Sequence, residues 1–354
     1  MEKKIYSLEV GGKTLTAEFN DWADQASGSV LLRYGNSAVL ATAVMGSKES
    51  NLDYFPLSVE YEEKFYAAGA ILGSRFMRRE GRPSEEAILS GRIVDRTIRP
   101  LFPKGLKRDV QVIITVLSIE EYDTDVLAVI AASLALGTSY IPWNGPVTAV
   151  RLERADDGSL IVNPSYKERE AEGVRMDLLA CGKDGLINMI EVGAHEVSEQ
   201  VLNDALKRAS EEIEKVQAWQ QMIIKERGVA KFEFKKEEDL SAIHALWSEQ
   251  MVPKVLAYNG ILDKSDLGEL KAEWTAIATS ALPDFAPGKF DAHYEHQMDE
   301  YVHDLAIKEG KRVDGRAMDE IRPLFAEVAT LSPVVHGSGL FYRGATHVLA
   351  ALTL

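Results

Sequence analysis

The sequence predicts an α+β chain: a first domain of short paired strands, mixed sheets and helices, then an all-helical stretch, then the opening of a second copy of the first domain. Three observations carry this reading. Residues 26–45 (ASGSVLLRYGNSAVLATAVM) align without gaps to residues 335–354 (VHGSGLFYRGATHVLAALTL) at a constant offset of 309, with seven of twenty positions identical. Short apolar runs separated by turn sequences fill the first part of the chain. Residues 239–309 carry helical periodicity punctuated by Pro253, Pro283 and Pro287, with little strand signal.

Each element has its own local reason. In both copies of the repeat, two apolar strands flank Gly35 or Gly344, a residue whose permissive backbone suits a tight hairpin turn. Strands are predicted near Thr14–Phe19, Ser29–Arg33, Ala38–Val44, Val110–Leu117, Val147–Glu153 and Leu178–Cys181. Asp156-Asp157-Gly158-Ser159 and Lys183-Asp184-Gly185 are turn sequences between apolar runs. Arg92, Arg96 and Arg99, spaced i, i+4, i+7, fall on one face of a predicted helix. Val126–Leu136 is a second, more apolar helix, preceded by Glu120, Glu121, Asp123 and Asp125. A long helix starts at the N-cap candidate Ser198 and stops at Gly228, and a charged connector spans Lys231–Asp239. Lys311-Arg312-Val313-Asp314-Gly315-Arg316 reads as an exposed turn that opens the second copy. The domains expected are therefore 1–228, 229–310 and 311–354. The chain ends on Ala351-Leu352-Thr353-Leu354, mid-strand by pattern, so the second copy is expected to be truncated.

Composition narrows the function. With 46% hydrophobic and 27% charged residues the chain is globular, no apolar run approaches the length of a membrane span, and MEKKIYSLEV lacks a secretory signal. A cytoplasmic protein without a membrane partner is expected. Cys181 lies in the apolar run MDLLACG and reads as a buried, inert thiol. A net charge of −15 argues against nucleic acid, yet its distribution reverses that: between Arg75 and Arg108 ten basic residues face four acids. A basic island on an acidic body draws polyanions to one place.

Within the island, Gly73-Ser74-Arg75-Phe76-Met77-Arg78-Arg79-Glu80-Gly81-Arg82-Pro83 sets an aromatic and a thioether among four arginines, just ahead of the Arg92, Arg96, Arg99 stripe. Stacking on an aromatic plus arginine contacts to phosphates holds single-stranded nucleic acid without reading its sequence. The bland alternatives are loop packing for Phe76 and Met77, and for the stripe a solvated face or ion pairs with Glu85, Glu86 and Asp95.

The runs Arg78-Arg79-Glu80-Gly81-Arg82-Pro83-Ser84-Glu85 and Arg92-Ile93-Val94-Asp95-Arg96-Thr97-Ile98-Arg99-Pro100-Leu101-Phe102-Pro103 resemble the first core of the bacterial polynucleotide phosphorylase family. Asp314-Gly315-Arg316, Glu320-Ile321-Arg322-Pro323 and His336-Gly337-Ser338-Gly339-Leu340-Phe341-Tyr342-Arg343-Gly344 are similar to the opening of its second core. The likeness covers essentially the whole chain. It implies two RNase PH-like cores around a helical domain, and 3′-to-5′ degradation of single-stranded RNA with inorganic phosphate as co-substrate, or the reverse polymerisation. It also implies a magnesium-type ion, a homotrimer, RNA-decay partners and KH-like or OB-type modules. Phe76, Met77, Arg78, Arg79, Arg82, Arg92, Arg96 and Arg99 are the RNA-binding residues that follow from the likeness and the basic island together, with Met77 standing where the family places a second aromatic. Catalytic and metal-binding residues are expected downstream of Leu354.

The first core is expected not to catalyse, because Glu120, Glu121, Asp123 and Asp125 precede its most apolar helix, and carboxylates at a helix N-terminus occupy the amides and repel phosphate. The chain alone would then supply RNA-gripping and scaffold parts and be inactive. The alternatives are a non-catalytic RNA-binding ring subunit and an assembly scaffold. His293, His296 and His303 are too widely spaced for a convincing metal site and are expected at the surface, and no Walker-type loop is present.

Overall fold

The computed structural model describes residues 3–50, 54–71, 81–155, 157–170, 173–233 and 240–354. Phe76, Met77, Arg78 and Arg79 lie outside the described residues. Two compact units divide the chain, Met1–Lys236 and Glu237–Leu354.

The first unit opens with an antiparallel meander, β1 (Lys4–Val10), β2 (Lys13–Phe19), β3 (Gly28–Tyr34) and β4 (Ser37–Glu49). After β5 (Leu57–Glu63) and α1 (Glu85–Ile98), β6 (Arg108–Ser118) inserts beside β4, giving a six-stranded sheet in the order β1-β2-β3-β4-β6-β5 in which only β5 and β6 run parallel. Then come α2 (Thr124–Thr138), β7 (Thr148–Arg154), β8 (Leu160–Val162), the short α3 (Tyr166–Arg169), β9 (Met176–Lys183), β10 (Leu186–Ala194) and α4 (Glu199–Arg227). The four later strands form an antiparallel sheet ordered β10-β9-β7-β8.

Helix α2 is the centre of this unit. It packs on β3, β4 and β6 of one sheet, on β7 of the other, and on α1 and α4, and residues 126–137 are all buried. A helix enclosed on every side has no reason to be amphipathic, which is why its sequence is apolar all round. Its C-terminal carbonyls are capped from a distance: Lys231 Nζ donates to the carbonyls of Leu136, Gly137 and Ser139 at 2.8, 3.0 and 2.7 Å. Burial pushes the Lys231 ammonium down to about 8. The connector thus begins with an anchored lysine rather than a solvated one.

Helix α4 starts where its sequence proposes, with the Ser198 side chain accepting from Val201 N. Gly228 ends it through close approach rather than a left-handed turn: its φ is −61°, and a Cβ there would lie 2.5 Å from the Ile224 carbonyl oxygen. Strands β1, β5, β8 and β10 were not predicted. β5 (LSVEYEE) gains its place only from parallel pairing with β6, some fifty residues on (Leu57 opposite Val110).

The second unit contains α5 (Ser241–Gln250), α6 (Val252–Ala257), α7 (Lys264–Ala281) and α8 (Pro287–Glu309), then β11 (Leu324–Val328), β12 (Gly337–Arg343) and β13 (Thr346–Leu352). The prolines punctuate as expected: Pro253 and Pro287 sit in first turns, where the missing N–H costs nothing, and Pro283 follows α7. Trp247, Trp274, Phe290, Tyr294 and Met298 form the helical core.

The repeat seen in the sequence is a repeat of register. Gly28 faces Ala43 and Tyr34 faces Ser37; Gly337 faces Leu352 and Arg343 faces Thr346, each pair displaced by the same 309 residues. The preceding strands match too, Leu15 opposite Tyr34 and Leu324 opposite Arg343. Gly35 and Gly344 turn the two hairpins at φ 57° and 58°.

Candidate nucleic-acid interface

Helix α1 is built to present one face. Ser84 caps it by accepting from Ala87 N at 3.0 Å, and Glu85 and Glu86 fill the first turn, where carboxylates complement the helix dipole. Ala87, Gly91, Ile93, Val94, Thr97 and Ile98 face inward, while Arg92, Arg96 and Arg99 face outward with Ile88 and Leu89. Arg82 is exposed just before the helix.

The arginines of the stripe are not equivalent. Arg92 and Arg96 are exposed and make no ion pair among the described residues. Arg99 is engaged: Nε and Nη2 donate to Asp95 at 3.0 and 2.7 Å, and Nη1 and Nη2 donate to the carbonyls of Phe55 and Leu57 at 3.5 and 3.2 Å. It fastens the end of α1 to the start of β5. Among the described residues Glu85 and Glu86 make no pair with the stripe, and of the expected internal ion pairs Asp95 with Arg99 is the one seen.

The described residues on either side of 72–80 are tied to the sheet. On the incoming side, a 3-10 turn at Phe65–Ala68 is tied to the end of β6 by Ile119 N donating to the Ala67 carbonyl at 2.9 Å. On the outgoing side, Ser84 Oγ donates to Glu63 Oε2 at 3.1 Å, joining residues 21 apart. Between α1 and β5 runs a groove of about 430 Å³ lined by Tyr61, Glu62, Ile88, Gly91, Arg92 and Arg99 among others.

At the N-terminus of α2 a half-buried ion network around the buried Arg151 gathers residues that the sequence did not connect. Asp123 caps the helix, with Oδ1 accepting from Asp125 N at 3.2 Å. Its Oδ2 meets Arg169 Nη1 at 2.6 Å and Arg151 Nη2 at 3.0 Å. Arg151 also binds Asp177 through Nη1 at 2.7 and 3.0 Å and lies 3.6 Å from Asp125, and Arg169 Nη2 reaches Asp177 at 3.1 Å. Three carboxylates thus share two guanidiniums. Burial and the neighbouring Asp123 charge push the Asp125 carboxyl up to about 6, against the opposing pull of a Ser90 hydrogen bond and Arg151. Of the four acids ahead of this helix, Asp123 and Asp125 belong to the network, whereas Glu120 bonds Asn36 at the surface. The sequence signal for Arg151 is weak, a charge in the strand TAVRLER, which also carries Glu153 and Arg154, and in which Arg151 is 8% exposed.

The other candidates resolve simply. Cys181 is buried, and burial pushes its thiol up to about 12. His293 is not at the surface: it is buried against Trp247 and Trp274, with Nε2 3.3 Å from His244 Nδ1. Burial and His244 hold it down at about 4. Its Nδ1 is buried with no hydrogen-bond partner among the described residues, an environment that its chain spacing does not reveal. Among the described residues no group of three or more His, Cys, Asp or Glu side chains could hold a metal, and no helix is long and apolar enough to cross a membrane.

Two family models match consecutive parts of the first unit. The 3′ exoribonuclease family, domain 1, matches residues 11–142, and the same family's domain 2 matches residues 145–212. The chain belongs to the RNase PH-type 3′ exoribonuclease family. The seam between the two matched regions falls between α2 and β7, so the six-stranded sheet with α1 and α2 forms one RNase PH domain and the four-stranded sheet with most of α4 the next. The chain is 43% identical over 360 residues to a polyribonucleotide nucleotidyltransferase of Caldicellulosiruptor bescii, covering 100% of this chain and 50% of that protein. Proteins of the same name from Thermus thermophilus and Halothermothrix orenii are 42% and 41% identical over 364 and 365 residues, covering 99% of this chain in each case and 50% and 51% of those proteins. The chain spans about half the length of the curated relatives it matches.

Proposed function

We propose that the protein is a 3′-to-5′ phosphorolytic exoribonuclease that also runs the reverse polymerisation, acting in mRNA decay on single-stranded RNA with inorganic phosphate as co-substrate. In phosphorolysis a phosphate oxygen attacks the terminal phosphodiester, the bond from phosphorus to the 3′ oxygen breaks, and a nucleoside diphosphate leaves. Residues 1–354 hold RNA in this scheme, and the first core does not cleave it. The observation that carries the reading is the exposed pair Arg92 and Arg96 on α1, which meets no carboxylate among the described residues. Two unpaired cations one turn apart repel unless anions meet them, and a phosphate backbone supplies anions at close spacing. Exposed Arg82 and, at the edge, Arg99 belong to the same reading, and Phe76, Met77, Arg78 and Arg79 are assigned to the RNA grip from the sequence.

The proposal extends to a homotrimer in the cytoplasm with RNA-decay partners, which the resemblance to the polynucleotide phosphorylase family supports. The magnesium-type ion of the family finds no fit among the described residues, since Asp123, Asp125 and Asp177 face guanidiniums. A second reading, an assembly scaffold, draws support from Ile88 and Leu89, each 53% exposed on the arginine face. The deciding assay is phosphate-dependent release of nucleoside diphosphate from single-stranded RNA, paired with RNA binding by the same chain. Binding without release supports an RNA-holding first core. Release that vanishes without phosphate means that this core cleaves, and absence of binding favours the scaffold.

A further inference from the structure

We propose that the 3-10 turn Phe65–Ala68 is a base-stacking platform, at which Phe65 and Tyr66 take bases of the single-stranded RNA whose phosphates meet Arg92 and Arg96. The turn follows β5 directly and carries none of the arginines from which RNA contact was read in the sequence. Two adjacent rings stand out from it, Phe65 42% and Tyr66 59% exposed, while Ala67 beside them belongs to the hydrophobic core. The turn is held by its main chain and not by the rings. Gly69 N donates to the Tyr66 carbonyl at 3.0 Å, Ala70 N to the Phe65 carbonyl at 2.9 Å and Ile119 N to the Ala67 carbonyl at 2.9 Å. A backbone fixed in this way presents its side chains with little left to order on binding.

The place of the turn couples it to the arginine face. Glu63, two residues before Phe65, accepts at 3.1 Å from the Ser84 hydroxyl that caps α1. Helix α1 then runs along β5, with Gly91 against Tyr61 and Val59 and with Arg99 on the carbonyls of Leu57 and Phe55. The turn therefore stands at the N-terminal end of α1, and Arg92 and Arg96 follow at about 12 and 18 Å of helix rise from Ser84. Ile88 and Leu89, each 53% exposed, occupy the helix between Ser84 and Arg92. The acids nearby are already engaged: Glu62 pairs with Lys64 at 3.0 Å, Glu60 accepts from Gln111 at 3.1 Å, Glu63 takes Ser84 and Asp95 takes Arg99. Glu85 and Glu86 sit in the first turn of α1, where they answer the helix dipole. Exposed rings at one end of a face and exposed guanidiniums along it suit a ligand that alternates flat bases with phosphates, which is single-stranded RNA. The inference rests on the RNA-holding reading and adds to it a contact made with bases instead of phosphates.

The test uses the whole chain with Phe65→Ala and Tyr66→Ala, singly and together, and two probes of equal length, a single-stranded RNA and an abasic phosphodiester oligomer. Loss of a stacked base is expected to weaken RNA binding by about 5- to 100-fold, with binding of the abasic oligomer and the slope of log affinity against log salt unchanged. Tyr66→Phe keeps the ring and is expected to keep the affinity. Arg92→Ala with Arg96→Ala is expected to weaken both probes and to lower the slope, so failure of the RNA-holding reading shows in the arginine variant and failure of the platform in the aromatic ones. Unchanged RNA affinity in the double aromatic variant, or equal losses on the two probes, would overturn the proposal. A changed oligomeric mass by light scattering without a change in RNA affinity would do so too, and would give the rings to an assembly surface. If the alanine variants melt early, Tyr66→Leu, which keeps apolar bulk and removes the aromatic face, carries the same expectation.

Discussion

Replacing Arg151 by Met removes the centre of the ion network while keeping a side chain of similar length in the strand. Arg151 holds Asp177 at 2.7 Å and Asp123 at 3.0 Å and lies 3.6 Å from Asp125, all from a position 8% exposed to solvent. Without it, Arg169 alone faces three carboxylates. Breaking a buried pair by removing one partner costs about 3–5 kcal/mol, and because Arg169 still reaches Asp123 and Asp177 the lower end, about 3 kcal/mol, is expected. At roughly 2–4 °C per kcal/mol for a unit of this size, the midpoint should fall by roughly 6–12 °C. The pH dependence gives a sharper check. Asp125 already titrates at about 6, above the ordinary 3.8 of an aspartate, so the folded state holds more protons than the unfolded state between those values. Its contribution favours folding at acid pH and is lost as pH rises toward 6. Removing Arg151 moves its carboxylates further in the same direction, so the destabilisation should be largest above neutrality and shrink toward about pH 5. Urea unfolding of parent and variant at both ends of that window measures it. A loss below about 1 kcal/mol, or one equal at both pH values, would refute the network as an energetic unit.

Arg92→Ala with Arg96→Ala should weaken binding to single-stranded RNA and lower the slope of log affinity against log salt by about 1.4, and an unchanged slope counts against RNA contact. Arg99→Ala should lower the melting temperature while leaving that slope nearly intact, since its donors already serve Asp95, Phe55 and Leu57. The helical unit should lose stability as pH falls from 6.5 toward about 4, because His293 is held neutral in the fold and protonated in the unfolded chain; His293→Phe should flatten that acid limb in a fluorescence-monitored titration. Gly35→Ala should cost more than Gly344→Ala in denaturant unfolding. Both positions have positive φ, but the added methyl at Gly35 meets the Tyr122 ring at 2.9 Å, whereas at Gly344 it meets the flexible Arg322 side chain at 3.1 Å.

The sequence by itself determined what local chemistry controls. The hairpin turns at Gly35 and Gly344, the cap at Ser198, the proline boundaries of the helical stretch and the arginine stripe of α1 all depend on contacts within a few residues, so their spacing is enough to read them. The motifs around Arg82–Ser84 and Arg92–Pro103 likewise carried the family in their order alone. Tertiary structure decided the partners. Arg96 and Arg99 sit on the same helical stripe, yet only Arg99 comes within reach of strand carbonyls that lie more than forty residues away in the chain. Asp123 and Arg151 are ordinary surface residue types until α2 is enclosed between two sheets, where solvent can no longer screen them and each must find an opposite charge. His293 looks solvent-facing by spacing and is buried because α5 and α7 close over it. Spacing along a chain fixes which residues share a face; only packing fixes what that face meets, because burial removes the water that would otherwise answer every polar group.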